Sequence, residues 1–474
     1  MTDLSSQSAA RARHGFQTED AALRPIAARV DAGQRLSFDD GVALYRSGDI
    51  LAIGWMANAV RERMHGDTAY FNVNRHINPT NVCVASCRLC AFGRKKGQPG
   101  TYTMALEEAW QTAGSGLTEA VTEFHIVGGL HPDLPFEFFM DLVRGLKLRY
   151  PKVHIKAFTM VEVAFLARIG KMSVEQALLR MKEAGVDSLP GGGAEIFADR
   201  VRHIICDHKI DGGEWLETAR TAHRIGLKSN ATMLYGHVEN DEDRVDHMLR
   251  LRALQDETGG FQTFIPLAFH PDNTALAHIP KTTGMMDLKQ IAIGRLLLDN
   301  FPHIKSYWQM VSPEMAQISL RFGADDIDGT VIEEKIYHDA GATTPQGMRR
   351  ARRALFLPRR PPLRRRASRR RGDAVHRSHH QGSVTCVEIR TRTNAGILRL
   401  LTPSSKLAGG PDRLRMTSWG VPAENYTATV NVSSLRVTAR YSVSRSNGTR
   451  PASVMRRQSW LRVMPCGVVA PASW

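Results

Sequence analysis

NRHINPTNVCVASCRLCAFGR, residues 74–94, sets Cys83, Cys87 and Cys90 in a C-x3-C-x2-C spacing on one short stretch. A [4Fe–4S] cluster takes one cysteine thiolate at each of its iron corners, so a loop with three leaves one iron open to an exchangeable ligand. A closed zinc site asks instead for a fourth ligand, commonly from a second C-x2-C or H-x3-5-H pair. No such pair follows, and His76 is the one nearby candidate. The spacing predicts an iron–sulfur centre with Cys83, Cys87 and Cys90 as metal ligands and something further bound at the open corner.

On the N-terminal side of this loop, residues 20–66 carry a helical pattern. Leu23, Ile26, Ala27 and Val30 share a face, Ser37 is placed to cap a helix, and apolar residues recur at three and four from Ile50 to Met64. From residue 71 onward short apolar runs alternate with helical stretches of about ten to fifteen residues, the βαβ pattern of a parallel sheet. Strands are expected near 73–78, 122–127, 153–158, 186–189, 228–233, 261–267 and 304–309, with a weaker one near 328–332. That number suits an α/β fold of the TIM type, a full or partial (β/α) barrel. The chain divides accordingly into a helical prelude, 1–70, a barrel domain, 71–347, and a remainder, 348–474.

In such barrels chemistry sits at the carboxyl ends of the strands. The expected strand exits carry Gly128-Gly129-Leu130-His131, Thr159 to Glu162, Gly191-Gly192-Gly193-Ala194-Glu195, Ser229-Asn230 through His237, and Phe269-His270. Glycines there let backbone approach a ligand closely, and Ser, Asn, Glu and His supply fixed hydrogen bonds. Any one of these exits also reads as an ordinary turn, but five together behind a three-cysteine loop point to a site. Glu195, His237 and His270 are the candidates to orient a substrate or move a proton. Cys206 reads as a buried hydrophobe, and Tyr307 and Trp308 either line the pocket or fill the barrel.

The formal charge of +16 invites a nucleic-acid reading, but its distribution argues against one. Residues 349–474 hold 26 Lys and Arg against 4 Asp and Glu, while the preceding 348 residues hold 37 basic and 43 acidic. The body of the chain is mildly acidic. The clustered cysteines fit a metal centre in a reducing compartment better than a disulfide framework. Charges run through residues 1–30 and no run of eighteen apolar residues occurs, so a cytoplasmic enzyme without membrane segments is expected. A simple electron carrier is the other iron–sulfur class, but carriers usually fill all four cluster corners and need no polar strand exits.

From about residue 72 to 347 the chain resembles the aminofutalosine synthases, radical S-adenosylmethionine (SAM) enzymes of the futalosine route to menaquinone. The stretches that carry the resemblance are RHINPTNVCVASCRLCAFGR, FHIVGGLHPDLPFEFF, HIKAFTMVE, DSLPGGGAEIF, KSNATMLYGHVE, GGFQTFIPLAFHPDNTALAH and FGADDIDGTVIEEKI. The related dehypoxanthine futalosine cyclases and deazaflavin synthases, the alternative reading, share the cysteine loop and the ATMLYGH-like strand. The PGGGAEIF and PLAFHPDNT forms sit nearer the synthases.

The resemblance implies a radical SAM barrel holding a [4Fe–4S] cluster, with SAM as co-substrate. It implies that the 5′-deoxyadenosyl radical adds to 3-[(1-carboxyvinyl)oxy]benzoate, giving 6-amino-6-deoxyfutalosine, methionine and bicarbonate, a transferase reaction. A one-electron reductant of the flavodoxin or ferredoxin class is the implied partner. Gly128 and Gly129 match the backbone that meets the methionine amino group, and Glu162, Ser229 and Asn230 lie where the family places polar contacts to SAM. The residue before the last cysteine, usually aromatic, is Leu89, and Phe92 is the substitute for packing near the adenine. His131, Arg200 and His270 are the candidates to meet the two substrate carboxylates.

After residue 347 the text changes to MRRARRALFLPRRPPLRRRASRRRGDAVHRSHH, and apolar patterning lapses until a weak strand-like stretch near 425–441. This Arg/Pro/Ser text reads like a GC-rich message in the wrong frame. Residues 348–474 are expected to derive from a frameshift and to form a disordered tail rather than a native domain. An RNA-binding arm would need aromatics interleaved with arginine for stacking, and 349–380 offers only Phe356.

Overall fold

The computed structural model describes residues 17–115 and 121–347, together with short strands beyond them. Helices Leu23–Asp31, Phe38–Arg46 and Ile50–His65 form the expected prelude. The first buries Leu23, Ile26, Ala27 and Val30, one apolar face at helical spacing. Ser37 starts the second with a capping box: its hydroxyl accepts the Asp40 N–H while the Asp40 carboxylate accepts the Ser37 N–H. The third packs along helix Gly284–Leu297.

The body is built of parallel strands β1 (Tyr70–Phe71), β2 (Asn74–Ile77), β3 (Glu123–Ile126), β4 (His154–Ala157), β5 (Ser188–Leu189), β6 (Lys228–Tyr235), β7 (Phe261–Ala268), β8 (Lys305–Ser306) and β9 (Asp326–Ile327). Six of them make one sheet in the order β2-β3-β4-β5-β6-β7, the half-barrel core of the fold. Helices alternate with these strands and cover the sheet, which is why its residues are buried on both faces. A second parallel sheet contains β1, β9 and β8, with residues 364–365 on the other edge of β1. Isolated bridges Phe264–Ile304 and Arg75–Ile332 tie this sheet to the two edges of the first.

Two expected strands differ from what forms. The 304–309 run stops pairing at Ser306, because Trp308 opens a helical turn and fixes its indole N–H on the Gly329 carbonyl at 3.0 Å. The 328–332 run lies just past β9, in backbone turned by Val331 at φ 45°, and contributes two backbone contacts to the strands, the Asp328 N–H on the Ser306 carbonyl at 3.2 Å and the His76 N–H on the Ile332 carbonyl at 2.9 Å. β1 is not among the expected strands, being only two residues long.

Past residue 370 the described strands are 389–393 with 396–400, an antiparallel pair, and 413–415, 427–431 and 438–442, a three-stranded antiparallel sheet. The expected frameshifted tail otherwise lies outside the described residues. Among the described residues no helix is long and apolar enough to cross a membrane.

Candidate active site

The cysteine loop follows β2 and is pinned by backbone bonds to several strand exits. Cys83 N–H donates to the Arg94 carbonyl at 2.8 Å, Val84 N–H to Leu130 at 3.0 Å, Arg88 N–H to Ile205 at 2.9 Å, and Ala275 N–H to Arg88 at 3.0 Å. Cys83, Cys87 and Cys90 are free thiols, half-buried. A Cβ built on Gly93 would lie 3.7 Å from Cys90 Sγ and 4.0 Å from Cys83 Sγ, so both sulfurs flank the same point. The Gly93 N–H donates to Cys90 Sγ at 3.3 Å.

All three cysteines open onto one cavity of about 510 Å³ at the carboxyl ends of the strands, within the ordinary range of small-molecule sites. Phe92, Gly128, Gly129, Glu162, Glu195, Asn230 and His270 line it. Gly129 is there for space: a Cβ would sit 2.2 Å from the Val82 carbonyl oxygen, so only glycine lets the β3 exit pass beneath the cysteine loop. The Gly129 N–H is spent on the Thr80 carbonyl at 2.8 Å.

Glu162 caps helix Met160–Ile169 and reaches across to the glycines. Its Oε1 accepts the Gly128 N–H at 2.9 Å and its Oε2 the Thr159 N–H at 2.8 Å. Burial pushes its carboxyl up to about 7, against the lowering pull of those bonds. A carboxyl whose folded pKa exceeds its unfolded value favours the fold at low pH. The contribution is whole below the ordinary glutamate range and fades as pH rises through about 7, losing about 1.4 kcal/mol for each pH unit climbed between those two values. Thermal unfolding at pH 5.5 and 8 should therefore show a smaller drop in Glu162→Gln than in the parent chain, although the amide cannot accept both N–H groups and lowers stability at either pH by about 1–3 kcal/mol. Equal pH slopes would show that the carboxyl does not titrate there.

Strand alternation decides which polar residues of β6 reach the cavity. Asn230, Thr232 and Leu234 line it. Ser229 points the other way, its hydroxyl 2.9 Å from His223 Nε2 on helix Gly212–Arg224, so the structure does not bring this expected SAM contact to the cavity. Asn230 Oδ1, His76 Nε2 and His270 Nδ1 are buried atoms with no hydrogen-bond partner, and all three side chains belong to the cavity wall. Buried polar atoms left open in this way mark where a polar ligand is received.

The expected catalytic residues separate. Glu195, at φ 47°, carries an ion pair with Lys209 Nζ at 2.6 Å, and both line the cavity. Burial pushes the Glu195 carboxyl up, but the Lys209 charge and hydrogen bond hold it below the usual range; Lys209 is raised in turn by Glu195 against its own burial. His270 lines the cavity, but its Nε2–H donates to the Met310 carbonyl at 3.0 Å, and burial lowers its pKa. It presents an acceptor, which corrects its expected role as a donor to carboxylates. His237 lies outside the lining, fully buried, with Nε2 on the Leu234 carbonyl at 3.1 Å and Nδ1 3.0 Å from Glu239 Oε2. His131 accepts the N–H groups of Asp133 and Leu134 on Nδ1, and Arg200 pairs with Asp243 on the surface, so neither faces a substrate here.

Lys209 and His125 are among the wall residues absent from the sequence expectations, where His76 stands only as a candidate zinc ligand. Lys209 lies 14 residues beyond Glu195 in a loop with no motif of its own. His76 and His125 stack with ring centroids 4.6 Å apart across β2 and β3, and burial holds both below the ordinary histidine range, His125 at about 3. The register pair His76–His125 follows directly from the pairing of these two strands, which is the one signal that points to it.

Residues 77–251 match the Radical SAM superfamily and residues 258–369 the CofH/MqnC C-terminal region. The chain is 47% identical to the aminodeoxyfutalosine synthase of Thermus thermophilus over 73% of this chain and 95% of that protein. It is 48% identical to the same enzyme of Streptomyces coelicolor over 68% of this chain and 86% of that one. The cyclic dehypoxanthine futalosine synthase of Streptomyces coelicolor is further away, at 38% over 69% and 82%. Among solved structures the methylornithine synthase PylB shares the fold with a TM-score of 0.52 at 16% identity, covering 70% of this chain and 99% of that one.

Proposed function

Because the chain belongs to the aminodeoxyfutalosine synthase family of radical SAM enzymes, we propose that Cys83, Cys87 and Cys90 hold a [4Fe–4S] cluster and that the cavity receives SAM beside the aryl enol ether. The observation that carries this reading is the convergence of three free thiols on a cavity whose wall leaves polar atoms of Asn230, His76 and His270 open. The donor set fits: thiolates are the ligands such clusters take, and the Gly93 N–H on Cys90 Sγ is the hydrogen bond that steadies a sulfur ligand. When bound, the cluster supplies one electron that cleaves SAM into methionine and the 5′-deoxyadenosyl radical, which adds to the carboxyvinyloxy double bond.

The protein's own share is to place, exclude and hold charge. Gly129 lets backbone run close beneath the loop, and Glu162 fixes the Gly128 backbone so that its carbonyl side is free for the methionine amino group. Asn230 offers an acceptor to SAM, and Phe92 packs beside the loop for the adenine. Lys209 is the buried cation on the wall, and we assign it rather than His131 or Arg200 to a substrate carboxylate. His76 and His125, kept neutral by burial, give that wall a flat, uncharged surface. The electron comes from a one-electron reductant of the flavodoxin or ferredoxin class.

One anaerobic turnover with SAM, reductant and 3-[(1-carboxyvinyl)oxy]benzoate, read by mass spectrometry, is expected to give an adenine-containing adduct with methionine and bicarbonate. Free 5′-deoxyadenosine as the dominant nucleoside, with the aryl substrate intact, would instead indicate the hydrogen-abstracting chemistry of the cyclase relatives.

A further inference from the structure

At the opposite end of the barrel, before β1, β8 and β9, stand His65, His303 and Asp325. One ligand atom from each lies within 4.8 Å of the others. Asp325 is fully buried and its Oδ1 is taken by Arg295 and by the Ile304 N–H at 2.8 Å. Its Oδ2 faces two imidazoles, with His303 Nδ1 at 2.5 Å and His65 Nε2 at 3.4 Å. The rings stack with centroids 5.3 Å apart, and Tyr70 sets its ring edge-on against both.

His65 is the informative member. Its side chain is 8% exposed and its Nε2 makes no hydrogen bond. The Pro302 carbonyl accepts a hydrogen bond from its ring, which must come from Nδ1. Nε2 of the neutral ring is then a bare lone pair aimed at a carboxylate oxygen, an arrangement that repels unless a cation lies between. Burial, the largest influence, opposes protonating the ring and, with Arg295 and His303, outweighs the Asp325 carboxylate that favours it. A backbone carbonyl holding one imidazole nitrogen while the other stays free is how metal-ligating histidines are oriented.

We propose that His65, His303 and Asp325 form a divalent-metal site of zinc type that staples the end of helix Ile50–His65 to the starts of β8 and β9. Two imidazole nitrogens and one carboxylate oxygen suit zinc, whose bonds of about 2.0–2.2 Å put tetrahedral ligands about 3.3 Å apart. The His65–Asp325 separation of 3.4 Å already meets that spacing. His303 moves its ring proton from Nδ1 to Nε2 and draws Nδ1 back from Asp325, its side chain being the most open of the three at 16% exposed. Water completes the fourth position from that side.

The test uses the cluster-loaded holoenzyme, in which the three cysteines are occupied. After equilibration with zinc sulfate and desalting, metal analysis is expected to find about one zinc beside about four irons per chain. His65→Gln and His303→Ala should each lower zinc at least tenfold while iron stays constant. Zinc-edge X-ray absorption of the parent should show nitrogen and oxygen near 2.0 Å and no sulfur near 2.3 Å. No zinc in the parent, equal zinc in parent and variants, or a sulfur shell would each overturn the proposal. Should the variants fail to fold, the parent's absorption spectrum decides alone.

Discussion

Alanine at Cys83, Cys87 or Cys90 is expected to drop cluster iron from about four per chain to below one and to abolish product formation, with Cys206→Ala leaving both in place. Each of the three sulfurs would anchor a different iron, so the loss of any one leaves a corner of the cluster to water and exchange. The loop's backbone does not depend on the thiols, since its bonds to Leu130, Ile205 and Ala275 hold it. The loss is therefore one of ligation, and far-UV circular dichroism should barely change. Cys206 is 1% exposed in the core, where truncation costs about 1 kcal/mol of packing and no chemistry. Iron analysis and the broad visible absorption of reconstituted protein measure the outcome. Full activity in any of the three loop variants would remove the cluster from the mechanism.

Gly129→Ala is expected to lower kcat on the order of 100-fold, the cost of a roughly 1 Å displacement of reacting groups. The new methyl group would meet the Val82 carbonyl oxygen at 2.2 Å, the Val82 carbonyl carbon at 2.7 Å and the Asn81 carbonyl carbon at 3.0 Å, all of them backbone. Nothing flexible is available to give way, so the cysteine loop itself must lift from the β3 exit. Gly128→Ala is the matched control: its methyl group would meet the Thr80 carbonyl at 3.1 Å and the Pro79 ring at 3.3 Å, which a few tenths of an ångström relieve. A tenfold or larger difference between the two variants in steady-state rate is the expected reading. Equal rates would mean that the close passage has no bearing on catalysis.

Much of this architecture is legible in the residues alone. Cysteine spacing and the succession of strand exits are local signals, and they place the loop, the glycines and Asn230 correctly at one cavity. What escapes depends on partners distant in sequence. His270 reads as a donor until the Met310 carbonyl, 40 residues on, is seen to consume its N–H. Ser229 and Asn230 are neighbours on a strand buried on both faces, so no polar–apolar alternation says which of them looks inward. The run after Ile304 looks like one more strand because Tyr307 and Trp308 are good strand residues, yet the indole finds its acceptor only by turning toward Gly329. Lys209 has no signature because its meaning lies in Glu195 beside it.

The seam between β7 and β8 gives the cavity two walls of unequal rigidity. The wall beneath the cysteines is built on a continuous six-stranded ladder, whereas Tyr307, Asp328 and Glu334 reach the cavity from segments joined to that ladder by the isolated bridges Phe264–Ile304 and Arg75–Ile332 and by side-chain bonds. Cooperative opening follows ladders, so amides of β3 to β6 are expected to exchange with global unfolding and those of β8 and β9 ahead of it, an order that hydrogen exchange measures. His303 and Asp325 lie at the base of that seam, where the Thr263 hydroxyl also holds the His303 carbonyl at 3.2 Å. The second wall is thus tied at its foot and, through Thr330, Val331 and Ile332, to β2 as well, so its give is confined to the seam with β7.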